Sequence, residues 1–227
     1  METALDYEQE LKSHIEQERA AVTLSSKVGE LLYDKGIELV LFRNQLVDVT
    51  ISEILHLHEY SKNVVNKPID IITSSTMAVE LHAMDLAPAK IDLGKLSYEW
   101  LYEGHSFATK REFLNDKLSQ FMVKDSEAIE PRDVVLYGFG RIGRLAAREL
   151  IKQAGRGQQL RLRAIVTRSN SEADLIKRAA LLKNDSVHGA FKGTVQVDTE
   201  NSAIIINGQV VKMICAKNPE DVDYTPF

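Results

Sequence analysis

The chain has 227 residues but only one cysteine, one tryptophan and five prolines, and it contains no long apolar run. A lone Cys215 can form no internal disulfide and cannot build a cysteine-based metal cluster, which suits a reducing compartment. No window approaches the ~20 consecutive apolar residues of a membrane span. Residues 1–20 are polar and acidic, where a secretory leader would be basic and then apolar. A cytoplasmic location without a membrane partner is therefore expected. At 44% hydrophobic and 27% charged, the composition is that of an ordinary globular protein and excludes the disordered and fibrous classes.

Basic charge is scarce in the first part of the chain. Residues 1–130 carry 13 Lys+Arg against 23 Asp+Glu, whereas residues 131–227 carry 15 against 10. The acidic part argues against nucleic-acid binding by the whole chain, and the positive part suits an anionic small ligand such as a nucleotide. The same division predicts two domains, 1–130 and 131–227. The charged stretch Lys124–Pro131, which lacks apolar periodicity, is the best linker.

Apolar residues recur at helical spacing in Leu11, Ile15, Val22, Val28, Leu31 and Leu32, so the first part reads as mostly α-helical, with a break at Gly36. Further helices are predicted near 49–60, 75–86 and 110–123. From residue 131 the pattern changes to short apolar runs alternating with helical segments. Strands are expected at 134–137, 160–166, 194–197, 203–206 and 210–215, and helices at 141–153 and 172–182, the first of these stopped by Gly155 and Gly157. Asn207-Gly208 is a strong hairpin signal. The expected fold class is α/β: a partial Rossmann domain, βαβ with a parallel sheet plus a hairpin, preceded by a mostly helical domain.

Behind the first of these strands stands Gly138-Phe139-Gly140-Arg141-Ile142-Gly143, a G-x-G-x-x-G sequence opening a helix. In that context Gly138 allows the tight turn, Gly140 lets backbone approach a pyrophosphate, and Gly143 lets helix and strand pack closely. The helix N-terminus offers unpaired N–H groups and positive dipole to the phosphates. Dinucleotide binding by residues 138–143 is the expectation; an ordinary glycine turn is the bland alternative.

The run V-V-L-Y-G-F-G-R-I-G-R-L-A-A-R-E-L at 134–150 resembles the glyceraldehyde-3-phosphate dehydrogenase family. Asp185-Ser186-Val187-His188-Gly189 resembles that family's D-S-x-H-G turn. The following Phe191–Val195 strand, the hairpin at 204–211 and Lys217-Asn218-Pro219, in the place of an R-D-P segment, extend the likeness across 131–223. Residues 1–130 look like the helical extension of a longer bacterial type. The resemblance implies an oxidoreductase that passes hydride from a sugar-phosphate aldehyde to a nicotinamide dinucleotide, and it places Lys217 in the cofactor set. It also implies a homo-oligomer. An erythrose 4-phosphate substrate and a non-catalytic nucleotide-binding or regulatory module are the alternatives.

Two departures qualify the resemblance. The family's S-C-T-T-N nucleophile segment does not occur, so the chain by itself is expected to be inactive and to belong to a longer protein. Cys215, in an apolar strand, reads as a buried inert thiol. Secondly, NAD-selective members place an Asp at the end of the second strand, where this chain has Thr167 followed by Arg168 and Ser169. Loss of the carboxylate and gain of a guanidinium and hydroxyls predict that NADP is accepted as well as NAD. No metal site is expected: His56 and His58 are two apart and do not share a helix face, and nothing joins them to Glu59, His82 or His105. His188 reads as a hydrogen-bonded turn residue. Arg141 and Arg144 are candidates to steer phosphates. Tyr98, Trp100 and Tyr102 read as core or an interface anchor.

Overall fold

The computed structural model describes residues 7–122, 130–154 and 160–227. Most of the expected linker, and the Gly155 and Gly157 stop signals, lie outside the described residues. The chain divides into two compact units, Met1–Glu127 and Ala128–Phe227.

The first unit begins with the 29-residue helix α1 (Tyr7–Lys35). It stops at Gly36, whose φ of 67° is left-handed, while the Gly36 and Ile37 N–H groups donate back to the Leu32 and Leu31 carbonyls. There follow β1 (Glu38–Leu41), β2 (Asn44–Gln45), α2 (Ile51–Asn63), α3 (Ile71–His82), β3 (Lys90–Asp92), α4 (Leu93–Glu103) and α5 (Lys110–Lys117). Each helix after the first starts at a residue whose side chain accepts a backbone N–H: Thr50, Asp70, Asp92 and Thr109. At Thr50 the Glu53 carboxylate returns the bond to the cap N–H at 2.6 Å, completing a capping box. Leu24, Val28 and Leu31 of α1 bury against Met77 and Leu81 of α3 in one core that includes Phe113.

This unit is helical, as expected, but two features correct the reading in detail. A small sheet in the order β2-β1-β3 was not anticipated; β1 runs antiparallel to β2 and parallel to β3. Its strands are short, and Glu38 pairs with Lys90 from far along the chain, so neither strand shows a local alternation. Helix α4 was also missed, and α5 ends at Lys117, short of the expected 123.

The second unit contains β4 (Arg132–Tyr137), α6 (Arg141–Gln153), β5 (Leu160–Thr167), α7 (Glu172–Lys183), β6 (Asn184–Asp185), β7 (Gly189–Ala190), β8 (Val195–Asp198), β9 (Ala203–Ile206) and β10 (Gln209–Cys215). Its main sheet has the order β4-β5-β10-β9-β8. Strands β4, β5 and β10 are parallel, and β10-β9-β8 is an antiparallel meander. The hairpin turns through Asn207 and Gly208, at φ 48° and 77°, the left-handed pair that a two-residue turn requires. Ala147 and Ile151 of α6 and Leu175, Ala179 and Leu182 of α7 cover Leu162, Ile165, Ile204 and Val211 of the sheet. Each Leu, Ile or Val side chain among these, fully buried, contributes roughly 1.5–3 kcal/mol. The register sets Tyr137 beside Val166 and Cys215 beside Thr167, so β4, β5 and β10 finish together at one edge. In an open α/β sheet, the crevice beyond that edge is where ligands bind.

Candidate functional site

The backbone of the glycine loop continues the sheet: the Gly138 N–H donates to the Val166 carbonyl at 2.8 Å. Gly138 then turns with a φ of 93°, a conformation that a side chain would strain. The Phe139 side chain is buried in the core below the loop. Gly140 is the N-cap of α6 and has no side chain to satisfy the first N–H groups of the helix. The other two glycines differ in what surrounds them. A Cβ on Gly143 would lie 2.3 Å from the Gly138 carbonyl oxygen, so the helix is pressed directly onto the loop. A Cβ on Gly140 would meet nothing within 4 Å. One glycine fits the fold, and the other leaves space in front of an uncapped helix N-terminus.

That space is part of a cleft of ≈ 440 Å³ bounded by Tyr137, Gly138, Phe139 and Gly140 on one side and by Val166, Thr167 and Arg168 on the other, with Arg178 and Ala216 completing it. Five of the expected residues, Gly138, Phe139, Gly140, Thr167 and Arg168, therefore line one cavity. Ile142, 83% exposed, and Gly143 follow in the first turn of α6. The Arg141 guanidinium turns instead to Ser186 Oγ at 3.0 Å and to the Asp185 carboxylate at 3.3 Å. Lys217 stands beside the cleft without lining it, and its carbonyl accepts the Tyr137 hydroxyl at 2.5 Å.

At the end of β5, Thr167 is buried and its hydroxyl donates to the Ser169 carbonyl at 2.8 Å. The Ser169 hydroxyl in turn donates to Asp174, as does that of Ser171 at 2.8 Å. These two hydroxyls hold the Asp174 carboxyl below its usual range, helped by the neighbouring Arg178 and Lys177 charges. The expectation that the hydroxyls here are free for a ligand is thus corrected: they close the loop on itself, while Arg168 and Arg178 are among the residues that line the cleft. Arg178 was missed by the sequence reading, because only the packing of α7 on the sheet brings its second turn to the strand end.

Cys215 corrects another expectation. Val211 and Met213 of β10 are buried, but Cys215, two residues on and the last of the strand, is exposed, its thiol near the Arg168 carbonyl at 3.4 Å. The expected turn around His188 is organised by Asp185, not by the imidazole. The Asp185 carboxylate accepts the Val187 and His188 N–H groups, each at 3.0 Å. These bonds, reinforced by Arg141, hold its pKa at about 2. Arg144 lies 3.8 Å from the same carboxylate, and Arg148 is fixed to the Leu182 carbonyl at 2.6 Å.

In the first unit, His56 and His58 lie on helix α2. His58 is buried, with Nδ1 2.8 Å from the Ile54 carbonyl and Nε2 3.0 Å from Ser74 Oγ. Burial pushes its pKa below the ordinary imidazole value. His82 pairs with Glu30 at 3.1 Å. Trp100 packs edge-on against Phe113, 5.4 Å between ring centroids, and Tyr98 lies beside Tyr102.

Residues 132–227 match the family of glyceraldehyde 3-phosphate dehydrogenase NAD-binding domains. This unit is a domain of that family. Among relatives, a glyceraldehyde-3-phosphate dehydrogenase-like protein of Pseudomonas aeruginosa (strain UCBPP-PA14) is 36% identical over 203 residues, 88% of this chain and 44% of the relative. The glyceraldehyde-3-phosphate dehydrogenases of Lactococcus lactis and Streptococcus dysgalactiae are 38% and 37% identical over 91 residues, 40% of this chain and 24% of each relative. The chain thus spans less than half the length of these relatives. The 203-residue match is longer than the second unit, so the likeness to the Pseudomonas protein reaches into the helical unit as well. Among the described residues no helix is long and apolar enough to cross a membrane.

Proposed function

We propose that this chain is the cofactor-binding part of an oxidoreductase of the glyceraldehyde-3-phosphate dehydrogenase type, and that its cleft takes NAD or NADP. The observation that carries this is the open space in front of Gly140, where a Cβ would meet nothing, at the uncapped N-terminus of the 13-residue helix α6. A pyrophosphate fits it: the free N–H groups of Arg141, Ile142 and Gly143 donate and the helix dipole favours negative charge. Acceptance of NADP beside NAD is supported by the end of β5, where Thr167 stands in place of the Asp of NAD-selective members and Arg168 lines the cleft.

The bound dinucleotide would supply the hydride acceptor for oxidation of an aldehyde, with a sugar phosphate as the substrate class. The residues of this chain hold and orient it. Gly138 sets the turn, Phe139 anchors the loop in the core, and Gly143 fixes the distance from helix to strand. The reading is tested with Gly140→Val in the intact protein. Because the added side chain meets no protein atom, the fold should survive while affinity for both NAD and NADP falls at least tenfold, about 1.4 kcal/mol. Unchanged calorimetric affinity would remove the cleft from cofactor binding.

A further inference from the structure

In the second unit, the arginines of α6 and of the early part of β5 each have a fixed partner. Arg141 and Arg144 face Asp185, Arg148 holds the Leu182 carbonyl, and Arg161 and Arg163 face Asp133. Arg168 and Arg178 differ. Among the described residues neither guanidinium has a hydrogen-bond or ion-pair partner, and the Arg178 Nε is buried without one. Both line the same cleft, one from the end of β5 and one from the second turn of α7. The nearby carboxylate, Asp174, feels the Arg178 charge but takes its hydrogen bonds from the Ser169 and Ser171 hydroxyls, so the Arg178 N–H groups are left without an acceptor from it. Two guanidinium-bearing residues on one cleft, with N–H donors that no acceptor in the protein takes up, suit an anion that can lie between them.

We infer that Arg178 is a specificity-determining residue which, with Arg168, clamps the 2′-phosphate of NADP. The inference rests on the proposed cofactor reading and deepens it. The α6 N-terminus fixes the pyrophosphate at Gly140, and the adenosine ribose of a dinucleotide so placed reaches the end of the second parallel strand. There a 2′-phosphate brings nearly two negative charges and three acceptor oxygens, and a guanidinium can meet it bidentately. Thr167 cannot do this work, because its hydroxyl is committed to the Ser169 carbonyl.

The test uses the intact protein, titrated calorimetrically with NAD, NADP, 5′-AMP and 2′,5′-ADP, as wild type and as Arg178→Met, Arg178→Lys and Arg168→Ala. Arg178→Met should lower affinity for NADP and 2′,5′-ADP at least tenfold while leaving NAD and 5′-AMP within about twofold. Arg178→Lys should restore part of the difference. Arg168→Ala should act in the same direction. Equal losses for the phosphorylated and unphosphorylated ligands would overturn the clamp and make Arg178 a general adenosine contact. No loss for NADP would overturn it outright. A wild type that binds none of the four ligands would instead defeat the cofactor reading itself, an outcome separate from any effect of Arg178.

Discussion

The two units deal with their polar groups in opposite ways. In the first, buried His58, Ser74 and Ser97 bond to one another or to backbone, and Lys117 is shared between Glu99 and Glu103. In the second, the buried side-chain atoms without a hydrogen bond among the described residues, Arg144 Nε and Arg178 Nε, both lie near the ends of the parallel strands. Buried polar groups are normally satisfied, and of these two atoms the Arg178 Nε belongs to a residue that lines the cleft. The comparison teaches that the helical unit spends its interactions internally, whereas the sheet unit leaves one edge incomplete.

This difference can be sharpened by substitution. The largest effect is expected in the first unit, where Phe113 is fully buried between Trp100 and Phe107. Phe113→Ala should cost about 3–5 kcal/mol, seen in denaturant unfolding followed by the fluorescence of Trp100, the sole tryptophan. In the second unit, Gly143→Ala forces a Cβ against the Gly138 carbonyl and should cost roughly 1–3 kcal/mol, whereas Gly140→Ala should leave stability nearly unchanged. Equal destabilisation by the two glycine variants would break the distinction between a packing glycine and a ligand glycine. Thr50→Ala, which removes the cap of α2, should cost about 1 kcal/mol in the first unit, again measured by Trp100 fluorescence.

The units should also part in acid. His58 has a lowered pKa when folded, so its contribution is complete above the ordinary imidazole value and is lost as pH falls from about 6.5. Asp185 is held at about 2 against an ordinary 3.8, so its contribution is complete above 3.8 and is lost only as pH falls towards 2. Amide exchange across a pH series should therefore show protection around α2 declining before protection of the 185–188 turn. Simultaneous decline, or an acid profile of α2 unaltered by His58→Gln, would contradict this assignment.

Much of the second unit was legible because its signals are local. Alternation of apolar runs with helix formers marked α6 from Arg141 to Gln153, and the spacing of Gly138, Gly140 and Gly143 marked the tight loop between β4 and that helix. In the first unit the helices other than α4 were legible and the sheet was not, since β1 is paired by β3 only after some fifty residues of intervening chain close.

The sequence by itself determined the glycine loop, the Thr167-Arg168 pair after it, and the order of the main strands and helices of the second unit, because each depends on neighbours within a few residues. Only the tertiary structure decided that the Thr167 hydroxyl closes its own loop, that Cys215 is exposed at the end of an otherwise buried strand face, and that Arg178 joins Arg168 at one cleft. Those three facts depend on where α7 lies on the sheet and where the parallel strands end, and chain spacing carries no record of either.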